Sequence, residues 1–550
     1  MIRYAKHPVE DEISKDYIIK CNDIHMQAYH ARVSAMPYNT IWPGKQRPME
    51  QTELASVLSF EADEKVELEV EVAWDFDEAI VRPLSKNVKV QKDGRVCKFA
   101  IEKCGQYTLE LDGFHKALHI FVDPVVDFVA KTDNVIHYEA GIHYGDLELQ
   151  SNTTVILDRG AILYGNIWAF GAENVSIIGY GMIDGSKEIR SGQTLLVPLL
   201  WKCKSAPKTL EEYRALEDRV IACYGRVAAF GAEGLNDADY ELMEKFKNER
   251  AGAANTPILC NGILIPDTKE EYLEFVDKLQ ILKGNIRFFR CKNCVLQGVT
   301  LRDSATFSVI PANCDNVYID DVKLIGMWKY NSDGIDVFNS SNVTIKNSFL
   351  RNFDDCIVIK GMKGWDDRSN ENILVENCVT WCDWGRCLEV GAETNAPEFK
   401  NIVFKNCDCI HGSYCMMDIQ HHNRADIHHI VFEDIRCEYS KYQMGEVYQS
   451  NMDMEYPNPE NINHPLLIEL IIHGDGFFGE DDEHVGMMHD IVFKNITVYA
   501  DDASVVKSKF TGFDNEHKIT RVLVSNVMVN GKKAIPNIQM NEFVLDIVTE

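Results

Sequence analysis

Positive charge is scarce in this chain. Its 56 Lys and Arg face 85 Asp and Glu, a formal net charge of −29 over 550 residues. That balance opposes nucleic acid and anionic membranes as partners, and weakly opposes a polyanionic substrate. Long apolar runs are also missing. No stretch of about 18 apolar residues is present, which predicts no transmembrane helix. The start, from Met1 to Tyr17, lacks the apolar segment of a secretory signal, so the expected location is the cytoplasm. The 17 cysteines are odd in number and scattered through strand-like segments. They read as reduced core residues rather than a disulfide framework. Cys291 and Cys294 form a CxxC spacing with no second pair, too little for a zinc site.

What the chain has is a repeat. From residue 293 onward a short theme recurs: a polar residue, alternating apolar residues, then Asn or Asp at a turn. It reads NCVLQGVTL at 293, NVYIDDVKL at 316, NVTIKNSFL at 342, NILVENCVT at 372 and NIVFKNCDC at 401. It continues at 429, 490 and 521, with earlier copies at 152 and 174. The starts are 23, 26, 30, 29 and 28 residues apart, then 61, then 31. Alternation of period two means strands. A period of 20–30 residues leaves no room for helical crossovers, so the expected fold is all-β, a parallel β-helix solenoid. The recurring Asn347, Asn377, Asn406 and Asn495, with Asp434, suit tight turns, because short amide side chains tolerate left-handed backbone and can stack.

Two domains are expected at this length. Residues 1–125 hold alternating strands such as 65–72, where Val66, Leu68, Val70 and Val72 face one way, and Pro124 marks a boundary. They predict an N-terminal β-sandwich, with 126–550 as the β-helix catalytic domain. Residues 186–280 break the pattern with three-to-four apolar spacing and predict a mainly helical insertion, either decoration or a lid or subunit contact that would make the protein a homo-oligomer. Residues 441–488 are rich in Met, Asp and Asn and predict a long loop insertion.

Two acidic segments carry the chemistry. The first is Asn331-Ser332-Asp333-Gly334-Ile335-Asp336. The second is Phe353-Asp354-Asp355-Cys356-Ile357. Asp354 and Asp355 follow Asp333 by 21 and 22 residues, about one coil. Stacked coils would bring the three acids into one patch at a strand spacing of about 4.8 Å. Aligning the coils puts Asp333, Asp355, Arg386 and Tyr414 in an outward polar column, with Gly334, Cys356, Cys387 and Cys415 stacked inward. Clustered carboxylates raise one another's pKa, and paired acids are what glycosidic hydrolysis needs.

These two segments resemble glycoside hydrolase family 28, the polygalacturonases, whose pattern reads Asn-Thr-Asp-Gly and Asp-Asp-Cys at this spacing. The stretch 160–185 is similar to the first coils of that family. The resemblance implies a right-handed β-helix and inverting hydrolysis, with Asp354 as general acid and Asp333 and Asp355 holding the water. The chain departs from the family twice. Gly385-Arg386-Cys387 stands where the family has Gly-His-Gly, and Asp418-Ile419-Gln420 where it has the Arg-Ile-Lys that grips galacturonate. The layout of a β-sandwich followed by a β-helix, with the acids kept and those two features absent, is similar to the dextranase-type family 49.

The candidate substrate residues are Lys360, Arg386, Glu389, Glu393, Gln420, His421 and Trp384. Lys360 would line the cleft, and Arg386 would contact substrate or a carboxylate. Glu389 and Glu393 would accept from sugar hydroxyls. Trp384 and Trp365 would stack on a sugar or merely pack. Asp336 reads as structural. His421 and His422 are adjacent on a strand and point to opposite faces, so they do not chelate one ion together. The expected function is an inverting hydrolase of a short, neutral oligosaccharide or glycoside, needing no cofactor or metal. The alternatives are a galacturonide-specific hydrolase, a β-helix polysaccharide lyase, or a non-catalytic β-helix binding protein.

Overall fold

The computed structural model describes residues 1–35, 52–187, 284–329, 331–362, 368–442, 464–474 and 485–550, with short pieces at 237–238, 259–260 and 263–264. Among them the architecture is all-β. From Asn134 onward the chain winds as a parallel β-helix, in which each strand pairs with its counterpart one coil away. The repeated theme forms one ladder. Val317, Val343, Ile373, Ile402, Ile430, Ile491 and Val522 lie in direct register on successive coils. Each is at most 1% exposed, so this column is the spine of the core. A second ladder runs through Lys323–Met327, Phe349–Asn352, Val379–Cys382, Asp408–His411 and Arg436–Tyr439. The third ladder bears the candidate site. Its strands include β1 (Val309–Ala312), β2 (Ile335–Phe338), β3 (Ile357–Gly361), β4 (Arg386–Thr394), β5 (Cys415–His421), β6 (Leu466–Ile472) and β7 (Ser508–Thr511).

Asparagine turns the corners. Asn347, Asn377, Asn406, Asp434 and Asn495 all have φ between 50° and 57°. Left-handed backbone costs an ordinary L-residue about 1–2 kcal/mol. Here the short side chains also bond one another: Asn377 Nδ2 donates to Asn347 Oδ1 at 2.5 Å, and Asn495 Nδ2 to Asp434 Oδ1 at 2.9 Å. A second ladder of the same kind joins Asn152, Asn174, Asn293 and Asn316.

The N-terminal residues form two sheets packed face to face. Leu58, Phe60, Leu109 and Ile120 of a six-stranded sheet meet Ile19, Leu68, Val70 and Phe99 of a five-stranded one. The strand Val66–Val72 buries its valines and turns its glutamates outward, as its alternation predicts. The other face of the six-stranded sheet docks on the second ladder of the solenoid. Val57 and Phe121 pack there with Phe349, Phe353, Trp381 and Ile410. Buried charges cross the same junction. Arg82 bonds Glu110 at 2.7 Å and also Glu438, and Lys323 Nζ lies 2.6 Å from Asp123.

The helical insertion at 186–280 lies outside the described residues, apart from 186–187 and the short pieces. The loop insertion at 441–488 is corrected. Leu466–Ile472 is a strand of the third ladder, pairing with β5 on one side and β7 on the other. The polar residues around it masked a single apolar run, Leu466-Leu467-Ile468-Glu469-Leu470.

The turn ladder gives a stability test. Asn377→Ala should destabilise the protein by about 1–2 kcal/mol, seen as a lower urea midpoint. Asn377→Gly, which accepts positive φ, should recover most of the backbone part. Equal losses in both variants would show that the φ at this position is not what matters.

Candidate active site

The site grows out of strand alternation. In β2 to β6, Ile335, Val337, Ile357, Ile359, Leu388, Val390, Met417, Ile419, Ile468 and Leu470 point into the core. The residues between them point outward, and pairing puts them in one row: Asp336, Val358, Glu389, Asp418, Glu469 and Lys509. Lys360 stands beside Phe338 on the next outward position. The turns entering β2 and β3 deliver Asp333 and the pair Asp354 and Asp355. Although they face outward, Asp336, Glu389 and Asp418 are no more than 1% exposed, and Asp354 and Asp355 only 6% and 7%.

Lys360 organises one half of the cluster. Its Nζ lies 3.0 Å from Asp333 Oδ2, 3.4 Å from Asp336 Oδ1 and 3.8 Å from Glu393 Oε2. It also sits 4.4 Å above the Phe307 ring. Burial works against its charge, but Asp333, Glu393 and Asp336 outweigh burial and hold it well above the usual lysine value. Burial pushes Asp333 up to about 7, with Lys360 opposing and Asp355 adding to the rise. Asp333 Oδ1 has no partner among the described residues, which leaves it free to accept from a bound molecule.

Asp354 is the most acid-like group of the trio. Burial first, then Asp333 and Asp355, raise it well above the carboxylate range, while Lys360 and Arg386 oppose. Asp355 is held as an acceptor. Its Oδ1 takes the Arg386 backbone N–H at 2.9 Å, and the Arg386 guanidinium lies 3.9 Å away. Gly385 makes this approach possible, since a Cβ there would stand 2.3 Å from Asp355 Oδ1.

Arg386 organises the other half. Its Nε donates to Asp418 Oδ2 at 3.1 Å, and its guanidinium lies 5.0 Å over the Tyr414 ring. Gln420 Nε2 donates to the same Asp418 oxygen at 3.1 Å. Burial, then Glu469, push Asp418 up to about 7. Burial, then Asp355, raise Glu389 well above its ordinary value. Asp418 Oδ1 and Glu389 Oε2 have no partner among the described residues.

The fold thus brings together Asp333, Asp354, Asp355, Lys360, Arg386, Glu389, Glu393 and Gln420. It does not bring His421 to them. That ring is fully buried, 2.7 Å from Thr394 Oγ1, and burial lowers its pKa to about 3. His422 stacks on His473 instead, with centroids 3.7 Å apart. Trp384 is half-buried and lies flat against Phe353 at 5.3 Å, so one of its faces is occupied. Trp365 lies outside the described residues. The outward column is corrected at its last member, because Arg386 pairs with Cys415, not Tyr414. Matching cysteine to cysteine gave a coil of 28 residues, whereas the strands pair at 29. Met416 takes the inward place next to Cys387, their sulfurs 3.9 Å apart. Sequence reasoning also missed three groups. Asp336 read as structural, Glu469 lay within the supposed loop, and Phe307 carried no motif. Among the described residues no group of His, Cys, Asp or Glu has the geometry to hold a metal ion.

Residues 274–543 match the family model of Glycosyl hydrolases family 28. This stretch, just under half of the chain, is similar to family 28. It contains all three aspartates and every candidate substrate residue. The chain is 26% identical over 182 residues to an exopolygalacturonase of Cochliobolus carbonum, covering 30% of this chain and 39% of that protein. It is 26% identical over 231 residues to an exopolygalacturonase of Arabidopsis thaliana, covering 41% and 47%. The chain therefore spans less than half the length of these curated relatives. Among solved structures, Dex49A from Penicillium minioluteum superposes with a TM-score of 0.58 at 12% identity, covering 99% of this chain and 96% of that one. That likeness is one of fold, and it takes in the N-terminal sheets together with the solenoid.

The raised carboxyls give a pH test. Asp336, Asp354 and Glu389 hold protons in the folded state well above their ordinary pKa. The unfolded chain loses those protons near pH 4, so stability is fully present below that and falls as pH rises toward the folded values. Above pH 7 each such group that keeps its proton in the folded state lowers stability as pH rises. His119, His411 and His421, all lowered, act below about pH 6.5 and leave this window untouched. Urea midpoints at pH 7 and 8.5 should fall less in Asp336→Asn than in the wild type. An equal fall would mean that Asp336 is ionised.

Proposed function

We propose that this protein is an inverting glycoside hydrolase acting on a neutral oligosaccharide or glycoside. The observation that carries the reading is the split among the three aspartates. Asp354 is forced furthest toward its protonated form by burial and two neighbouring acids, while Asp333 accepts from Lys360, which opposes its rise, and Asp355 accepts from the Arg386 N–H. Inversion needs this division of roles. Asp354 gives its proton to the glycosidic oxygen as the C–O bond breaks. Asp333 and Asp355 hold a water on the opposite face of the ring and take its proton as it attacks the anomeric carbon. In inverting enzymes the acid and the base stand about 6.5–9.5 Å apart, leaving room for that water.

Neutrality of the substrate is argued from Asp418 and Gln420. They bond each other at 3.1 Å and offer no cation at the position where family 28 grips a uronate. Arg386 favours the second reading, a galacturonide hydrolase, and the curated relatives are exopolygalacturonases. Its Nε is committed to Asp418, which lessens what it can give to a sugar carboxylate. A lyase would need a neutral base, and Lys360 and Arg386 are both held in their charged forms by surrounding acids.

Asp354→Asn should abolish turnover without unfolding the protein. Asp333→Asn and Asp355→Asn should each lower kcat by about 10²–10⁴. Proton NMR of the first-formed product should show the inverted anomer. Retention of configuration, or near wild-type rates in Asp354→Asn, would sink the assignment. For the substrate, kcat/KM should favour neutral gluco-, galacto- or fructo-oligosaccharides over galacturonate oligomers. A tenfold advantage for the galacturonates would hand the anion grip to Arg386.

A further inference from the structure

Arg351 is the largest side chain in the fully buried set, at 1% exposed. Among the described residues no carboxylate lies within ion-pair distance of it. Its Nη1 donates to His119 Nε2 at 3.0 Å, and its guanidinium lies 3.8 Å over the Trp381 ring. Its Nε and Nη2 have no partner among the described residues. A buried cation with no ion pair, compensated only at longer range by Asp383, Glu53 and Glu110, is costly, so its one strong hydrogen bond matters.

That bond is to the other domain. His119 belongs to the N-terminal strand Leu118–Asp123. A guanidinium only donates, so His119 Nε2 must accept, which requires a neutral ring with its proton on Nδ1. Thr108 Oγ1, 2.9 Å from Nδ1, takes that proton's hydrogen bond and fixes the tautomer. Burial keeps the ring neutral.

Arg351 is three residues from Asp354, and each step between them is anchored. Asn352 Nδ2 donates to the carbonyl of Ser332, the neighbour of Asp333, at 3.0 Å. Phe353 packs in the cluster shared by the two domains and stacks on Trp384. The Asp354 carbonyl accepts from Cys382 Sγ at 3.3 Å. One path of contacts therefore runs from Thr108 and His119, through Arg351 and Asn352, to both acid-bearing turns.

We propose that His119 of the N-terminal sandwich is a positioning residue for the site: by accepting from Arg351 it holds the turn that carries Asp354 and Asp355 and, through Asn352, the turn that carries Asp333. The sandwich is thereby part of the working site rather than an appended module. The catalytic side of this inference rests on the reading of the three aspartates above.

The test is hydrogen–deuterium exchange on the full chain, which needs no substrate. In the wild type the Cys356 amide is bonded to the Arg386 carbonyl at 2.9 Å. His119→Ala should speed exchange across 350–357 at least tenfold, with 488–498 unchanged. His119→Gln, which restores an acceptor, should stay within threefold of the wild type. Should His119→Ala fail to fold, Thr108→Val keeps the ring but frees its tautomer, and should speed the same segment at least threefold. Unchanged exchange over 350–357 in a folded His119→Ala or Thr108→Val overturns the proposal. In turnover, His119→Ala should lose at least tenfold in kcat with KM within threefold, and His119→Gln should recover it. If Asp354→Asn remains active, the hydrolase reading falls while the exchange result still decides the role of His119.

Discussion

Register in a parallel solenoid is the constraint on which everything else here depends. Each coil repeats its outline about 4.8 Å above the last, so whatever one coil places at a position meets its counterpart on the next. For valine and isoleucine this is favourable, and the column from Val317 to Val522 shows it. For asparagine it is favourable at the corners, where amides bond along the stack. For carboxylates it is costly. The site exists because the sequence places acids at neighbouring outward positions of this ladder and then supplies two cations, Lys360 and Arg386, that do not balance them all.

The two cations divide the acids into two groups. Lys360 touches Asp333, Asp336 and Glu393, and Arg386 touches Asp355 and Asp418. Asp354 lies between these spheres with no ion pair of its own among the described residues. It feels Asp333 and Asp355 more strongly than either cation. Position alone thus raises this carboxyl, with no special chemistry at the residue, as the proposed role of proton donor needs. The same turn is tied at Arg351 to the sandwich, so the two domains share the task of holding it.

Much of this was legible in the sequence because two periods are so clear. Alternation of period two gave the strands, and the 20–30 residue recurrence gave the stacking. The acid trio followed from both. What was not legible depended on exact coil length. A one-residue difference between Arg386 and Cys415 moved Tyr414 out of its expected place. A strand inside a polar insertion hid Glu469 and so the full outward row. His421 carried a suggestive neighbour in His422, but strand alternation turns its ring to Thr394. The anchoring pair of His119 and Arg351 is 232 residues apart, in two domains, and no local pattern joins them.

The outward row also bears on which sugar the site tolerates. Glu389, Asp418 and Glu469 are consecutive in register. Two charges about 4.8 Å apart repel by about 3–4 kcal/mol at an effective dielectric of about 20. Protonating a carboxyl of ordinary pKa at pH 7 costs about 4 kcal/mol. Asp418, with an acid on either side, would suffer roughly twice the pair repulsion if all three were charged; Arg386 Nε at 3.1 Å cancels most of it, and burial, the largest cause, is what carries this carboxyl up to about 7. A row of partly protonated carboxyls gives and accepts hydrogen bonds without carrying full charge, which is what the proposed neutral sugar would ask of it. A uronate placed there would add one more negative charge to a row that already sheds its own.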